Sequence, residues 1–274
     1  MIRSSELSDT HVDTFLNAIY ELYGYDYREY SKPSIKRRIV NRMNQEGYTK
    51  LSDMLSYLVN HPNFMDTLVL DFSINVTEMF RDPFVFSYIQ DEVFPFLETY
   101  PFIRIWVAGC SSGEEVYSLA IALHEWGIYD RVQIYATDIN EKILEQAILA
   151  SYPIENKKKY ETNYISFGGK SSFSDYVHID GLTFSVKEFL KKRIMFSTHN
   201  LVTDGTFNEM HLILCRNVMI YFNQTLKQRV FNLFSDSMVE QGYLCIGTKE
   251  TIEFFNEKQK FESMNERARL YRKV

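Results

Sequence analysis

Along residues 9–70 the apolar side chains return every three to four positions. Val12, Phe15, Leu16, Ile19 and Leu22 fall on one helical face, with Asp9 or Thr10 as candidate caps. Pro33 and Ser34 open a second run, SIKRRIVNRM, which stops near Gly47. LSDMLSYLVNH, ended by Pro62, and FMDTLVLDFSI follow. No strand-and-turn alternation interrupts this stretch, so residues 1–70 are predicted to form a small all-helical domain.

From residue 101 the pattern changes. IRIWVAG, VQIYATDI, MHLILCRNV and GYLCIGT are short apolar runs, each next to a helical stretch. Such alternation predicts an α/β domain over residues 101–274 on a mostly parallel sheet. Between Ile154 and Ile194 a polar stretch carries FGGKSS and IDGLTFSV, which suits a small hairpin insertion or a loop over the sheet edge. Residues 71–100 join the two regions.

Composition narrows the classes. Of 274 residues, 45% are hydrophobic and 24% charged, as in ordinary globular chains. The aromatic share of 15% is expected to fill the core. A net charge of −6 argues against a nucleic-acid partner. No apolar run approaches the roughly 18 residues of a membrane span, so membrane insertion is not expected. The opening MIRSSELSDT lacks a signal-peptide core. Cys110, Cys215 and Cys245 lie far apart in apolar runs without a CxxC, which predicts buried free thiols, a cytoplasmic location and no metal site.

Candidate chemistry begins after the first strand. In an open parallel sheet the ligand sits beyond the carboxyl ends of the strands. Gly109-Cys110-Ser111-Ser112-Gly113 allows close backbone approach but is not GxGxxG. Glu114 and Glu115 follow at a helix start, where acids suit the dipole. They would repel a pyrophosphate and favour a ligand with cationic or hydroxyl groups. Asp138, at the tip of the second strand, is placed to accept from a ribose hydroxyl pair; Asp138 or Asn140 is also a candidate cap for the next helix, and both roles are compatible. The segment SINVTEMFRDP supplies Asn75, Thr77, Arg81 and Asp82. LCRNVMIYFN sets Arg216 and Asn217 at a strand's carboxyl end.

Together GYDYREYSKPSIKRRIVNRM, NVTEMFRDP, AGCSSGEEVYSLA, TDIN and CRNVMIYF, in this order, resemble the CheR family of chemotaxis methyltransferases. The resemblance implies a Rossmann-like S-adenosylmethionine-dependent methyltransferase sheet, an N-terminal helical docking domain, and a small inserted β-subdomain near residues 154–194. It implies methylation of receptor glutamates, giving a methyl ester and S-adenosylhomocysteine. That cofactor carries no phosphate, so carboxylates at the first turn become sensible partners for its ammonium.

By the same resemblance Asn75, Thr77 and Arg81 fold over the cofactor, with Arg81 near its methionine carboxylate. Gly109 lies in the cofactor turn, Glu115 or Glu114 holds the cofactor, and Asp138 meets the ribose. Asn200 and Leu201 flank the adenine, and Arg216 and Asn217 border the reactive end. Tyr221 lies near the methyl donor; with Arg81 it makes the expected catalytic pair. Lys36, Arg37, Arg38 and Arg42 are expected to grip the acidic cytoplasmic helices of a methyl-accepting receptor, with the chain acting as a monomer. A CheR-like module that binds the cofactor or a partner without turnover is the rival reading. One departure stands out: the family's Gly-His-Ser-Glu run reads Gly247-Thr248-Lys249-Glu250. FGGKSSF does not reproduce the family's glycine pattern for binding a receptor tether, so none is expected.

Overall fold

Helices occupy the chain up to Phe72. In the computed structural model, residues 3–73, 77–207 and 209–274 are described. The first helix, α1 (Asp9–Tyr23), is capped one residue earlier than expected: the Ser8 hydroxyl accepts from the His11 N–H at 3.2 Å. Its buried face ends at Ile19, and Leu22 is exposed. Helix α2 (Lys32–Glu46) carries Pro33 in its first turn and closes on Gly47, whose φ of 77° lets its N–H reach the Met43 carbonyl. α3 (Leu51–Asn60) and α4 (Phe64–Phe72) complete the set. Phe15, Leu16, Ile39, Met54, Leu58 and Phe72 pack at the centre of their shared core.

The chain divides into two compact units. One comprises Met1–Asn75 with Tyr221–Arg229, the other Val76–Ile220 with Val230–Val274. The second unit begins with α5 (Pro83–Tyr88) and α6 (Phe94–Glu98), joined by a wide helical turn. Then come β1 (Ile103–Ala108), α7 (Glu114–Trp126), β2 (Val132–Asp138) and α8 (Glu141–Leu149). The insertion holds β3 (Ser151–Pro153), α9 (Ile154–Phe167), β4 (Val177–Asp180) and β5 (Thr183–Val186). β6 (Ile194–Thr198), β7 (Met210–Cys215), α10 (Gln224–Ser237), β8 (Met238–Ile246), β9 (Phe261–Asn265) and β10 (Leu270–Lys273) close the order.

The main sheet runs β6-β2-β1-β7-β8-β10-β9. From β6 to β8 neighbours are parallel; β10 is antiparallel to both β8 and β9. Because β1 is flanked by β2 and β7, the chain reverses its winding there, and a crevice opens beyond the carboxyl ends of these strands.

The polar stretch after Ile154 is neither a hairpin alone nor a loop. It opens with α9, which buries Tyr160, Tyr164 and Phe167, and then forms part of a three-stranded antiparallel sheet, β3-β5-β4. Gly169 is required by packing, since a Cβ there would lie 2.1 Å from the Tyr164 ring. Glu125 of α7 ties the insertion down by accepting from the Tyr176 hydroxyl at 2.8 Å and the Lys170 N–H at 3.1 Å. The three cysteines are free and buried, and burial pushes the Cys245 thiol up to about 12, which leaves it unreactive.

At the opposite end of the sheet, buried His211 accepts the Arg104 N–H on Nδ1 at 3.0 Å. Burial lowers its pKa from 6.5; the nearby Arg104 charge adds to this, while the Arg104 N–H contact and Glu209 oppose it. Below pH 6.5 the unfolded chain takes up a proton that the folded chain refuses. Stability from this group is therefore complete above pH 6.5 and lost as pH falls toward the folded pKa. Urea unfolding of the wild type against His211→Asn, whose amide oxygen can replace Nδ1, should show a flatter acid limb in the variant. Identical slopes would remove His211 from the account.

Candidate active site

The site is built where β1, β2 and β7 end. After Ala108 the chain turns at Gly109 (φ 73°), and the N–H groups of Gly109 and Cys110 both donate to the Thr137 carbonyl, at 2.8 and 2.9 Å. A side chain at position 109 would strike Val218, its Cβ only 2.5 Å from a methyl carbon. Ser111 is left-handed (φ 51°), and its N–H donates to Asp138 Oδ2 at 2.9 Å. Asp138 thus locks the first turn to the second strand.

Its other oxygen accepts from the Asn140 N–H at 3.1 Å, while the Asn140 side chain caps α8. With about four lone-pair sites on a carboxylate, Asp138 keeps accepting capacity beyond these contacts and the Ile139 N–H. Burial raises the Asp138 pKa above 3.8, against the pull of the Ser111 and Asn140 N–H groups. The His199 N–H donates to the Asp138 carbonyl at 3.1 Å, bringing Asn200 and buried Leu201 to the same strand end. The Asn200 side-chain oxygen is engaged by the Val202 N–H at 2.9 Å.

The two acids of the first turn diverge. Glu115 reaches Arg216 Nη1 at 2.6 Å, and Arg216 Nη2 reaches Asp82 at 2.7 Å and the Arg81 carbonyl at 3.1 Å. The Arg216 side chain is 1% exposed, so one guanidinium joins α7, the connecting segment and the end of β7. Glu114 turns toward the insertion, accepting from Ser112 at 2.7 Å and Tyr160 at 3.3 Å. Burial raises its pKa, and it lines a cavity of about 250 Å³ together with Gln146, Tyr152 and Asn156.

The connecting segment is fastened from beneath. The Phe80 N–H donates to the Ser118 hydroxyl at 2.8 Å, and the Asn163 amide donates to the Met79 carbonyl at 2.9 Å. Phe80 and Asp82 are both left-handed, which carries half-buried Arg81 between them. Thr77 is half-buried too, and Asn75 lies outside the described residues. Beyond β7, Asn217 is left-handed (φ 62°).

Buried polar atoms at the ends of β1, β2 and β7 without a partner among the described residues include Ser111 Oγ, Asn140 Nδ2, Asn217 Oδ1 and Arg216 Nε. They border a crevice that offers carboxylates and a close backbone approach, a donor set that fits a ligand with hydroxyl and ammonium groups.

Comparison with known proteins gives that ligand a name. The family description "CheR methyltransferase, SAM binding domain" matches residues 75–270, and "CheR methyltransferase, all-alpha domain" matches residues 10–73. The chain belongs to the CheR methyltransferase family. A Pseudomonas putida relative named Cher3 is 39% identical over 98% of this chain and 99% of its own. The "Chemotaxis protein methyltransferase" of Listeria innocua is 30% identical over 87% of this chain and 88% of its own. The Escherichia coli protein of that name is 27% identical over 89% and 85%. The expected methyltransferase sheet, all-helical N-terminal domain and small antiparallel sheet are all present, and the cofactor is S-adenosylmethionine.

Other residues named from the sequence lie in the helical unit. Tyr221 belongs to the helical unit, where its carbonyl accepts the Ser31 N–H and its ring lies 5.3 Å from the Arg38 guanidinium. The basic helix does not present one docking face. Arg38 is 9% exposed and donates to the carbonyls of Asp71 and Ser73. Arg42 forks onto Asp71 at 2.5 and 2.8 Å, and Lys36 pairs with Asp9. Arg37 is exposed. Sequence patterning missed Ser118, and it singled out the stretches holding Ser111 and Asp82 without their partners, Asp138 and Arg216, which lie far away along the chain.

Among the described residues no helix is long and apolar enough to cross a membrane.

Proposed function

We propose that this chain transfers a methyl group from S-adenosylmethionine to glutamate side chains of a methyl-accepting chemoreceptor, as a monomer in the cytoplasm. The observation that carries this reading is the carboxylate-lined crevice, in which Asp138 joins the first turn to the second strand. The names of the relatives agree with it.

In this reading the free lone pairs of Asp138 accept from the ribose hydroxyls, and Asn200 with Leu201 borders the adenine. Arg81 meets the methionine carboxylate, with Asn75 and Thr77 on the same covering segment. Glu115, already neutralised in part by Arg216, faces the ammonium; Glu114 is assigned to the insertion. Gly109, Arg216 and Asn217 shape the floor, and Tyr221 borders the transfer. When bound, the cofactor supplies an electrophilic methyl on sulfur. A receptor glutamate is ionised at neutral pH, so the chain's task is alignment and exclusion of water rather than deprotonation. Arg37 is the exposed member of the basic helix and the leading contact for an acidic receptor helix.

Incubation with methyl-labelled cofactor and receptor fragments should give base-labile label on glutamate. Cofactor uptake without transfer would replace this reading with a binding module. Asp138→Ala should weaken S-adenosylhomocysteine binding by roughly tenfold or more in calorimetry, since two buried N–H groups lose their acceptor. Because burial raises the Asp138 pKa, wild-type affinity should begin to fall on acidification at a higher pH than an ordinary aspartate would dictate. Unchanged affinity in the variant would exclude Asp138 from the site.

A further inference from the structure

Asn217 holds a left-handed backbone although it is not glycine, a conformation that costs about 1 kcal/mol when nothing holds it. Glu250 supplies the restraint. Its Oε2 accepts from the N–H of Asn217 at 3.2 Å and of Gly247 at 2.5 Å, and its Oε1 accepts from the N–H of Ile220 at 3.0 Å. The residue is 6% exposed, so three charge-assisted bonds converge on one buried carboxylate.

Gly247 is part of the same arrangement. A Cβ there would lie 2.6 Å from Glu250 Oε2, 2.7 Å from the Asn217 nitrogen and 3.0 Å from Asn217 Nδ2. The contact follows from the sheet, because Cys215 pairs with Ile246 and the ends of β7 and β8 emerge side by side. Asn217 Nδ2 lies on the Gly247 side, and Oδ1 is left as a buried acceptor without a partner among the described residues. Thr248 and Lys249, where the sequence departs from the family's run, are the outward members of this turn; Gly247 and Glu250 face in.

We propose that Glu250 is a positioning residue of the methyltransferase site. It fixes the Asn217 turn so that Oδ1 is presented to a donor of the bound cofactor, and Gly247 provides the space this needs. The inference rests on the proposed function, since it requires a cofactor beside Asn217.

The test is a double-mutant cycle on the full chain, read by calorimetry with S-adenosylhomocysteine and accompanied by thermal unfolding. Glu250→Ala should weaken binding by about tenfold or more, as three N–H groups, that of Gly247 buried and the other two part-buried, lose their shared acceptor. In an Asn217→Ala background the same change should add no more than about twofold, because the two act as a unit. Glu250→Gln, which keeps one oxygen, should recover part of the affinity. Additive losses would mean that Glu250 supports the fold without acting through Asn217. Should Glu250→Ala not fold, Glu250→Gln and Gly247→Ala carry the cycle; affinity equal to wild type in both would overturn the proposal while leaving the function intact. Absence of binding by the wild type itself would overturn both.

Discussion

Arg216→Ala should destabilise the sheet-bearing unit by about 3–5 kcal/mol in urea unfolding, the cost of breaking a buried ion pair from one side. The guanidinium is almost wholly buried and holds Glu115 and Asp82 at 2.6 and 2.7 Å. Its removal leaves two carboxylates near each other without a cation and frees the Arg81 carbonyl. Most of the loss belongs to Glu115, whose side chain is 13% exposed, rather than to the more solvated Asp82. Arg216→Lys should recover less than half, because one ammonium cannot span both acids as a planar fork does. A loss below about 1 kcal/mol, the range of exposed pairs, would show that the three segments are not joined through this residue.

A second large effect is expected at Arg38, and it reverses the meaning of an obvious experiment. Changing Arg38 and Arg42 to glutamate looks like a test of receptor docking. Arg38 is enclosed, however, and donates to two main-chain carbonyls at the end of α4. A carboxylate there would face carbonyl oxygens and should cost the helical unit about 3 kcal/mol or more. Arg42→Glu would set a third acid beside Asp71 and Glu46. The double variant should therefore unfold at lower denaturant and lose transfer for that reason. Arg37→Glu, on the exposed side, should unfold within about 0.5 kcal/mol of wild type and lower methyl transfer to receptor fragments. Wild-type stability in Arg38→Glu would refute the enclosed role.

These contrasts mark what the residue pattern carries. Helices α1 to α4 were legible because each repeats its apolar residues on one face and stops at Gly24, Gly47, His61 or Ser73. The strand runs were legible because buried parallel strands are apolar throughout. Helix α9 was not, since its buried face consists of Tyr160, Tyr164 and Phe167 among lysines and glutamates. Asp138 and the first turn could be found from position alone, because the sheet's topology fixes where a ligand must lie. The divergence of Glu114 and Glu115 could not. Adjacent residues on a helix point about 100° apart, and only the partners, Arg216 and Tyr160, decide what each direction means. Arg38 misled because a long stem and a charged head read the same whether the head meets water or carbonyls.

Phe80, Asp82, Ser111 and Asn217 share a backbone handedness that L-residues ordinarily avoid, and all four belong to the segments that meet around Arg216 and Asp138. For anyone engineering heat tolerance, glycine is the obvious substitution at such positions. Here each would ease the main chain while discarding a side chain the site has or is proposed to need: the Phe80 ring that packs on Phe167, the Asp82 carboxylate on Arg216, and the Ser111 hydroxyl and Asn217 amide oxygen, whose buried atoms await a ligand in the proposed reading. Thermal ruggedness and a working crevice thus make opposing demands on the same four residues, and stabilising changes are better sought elsewhere in the chain.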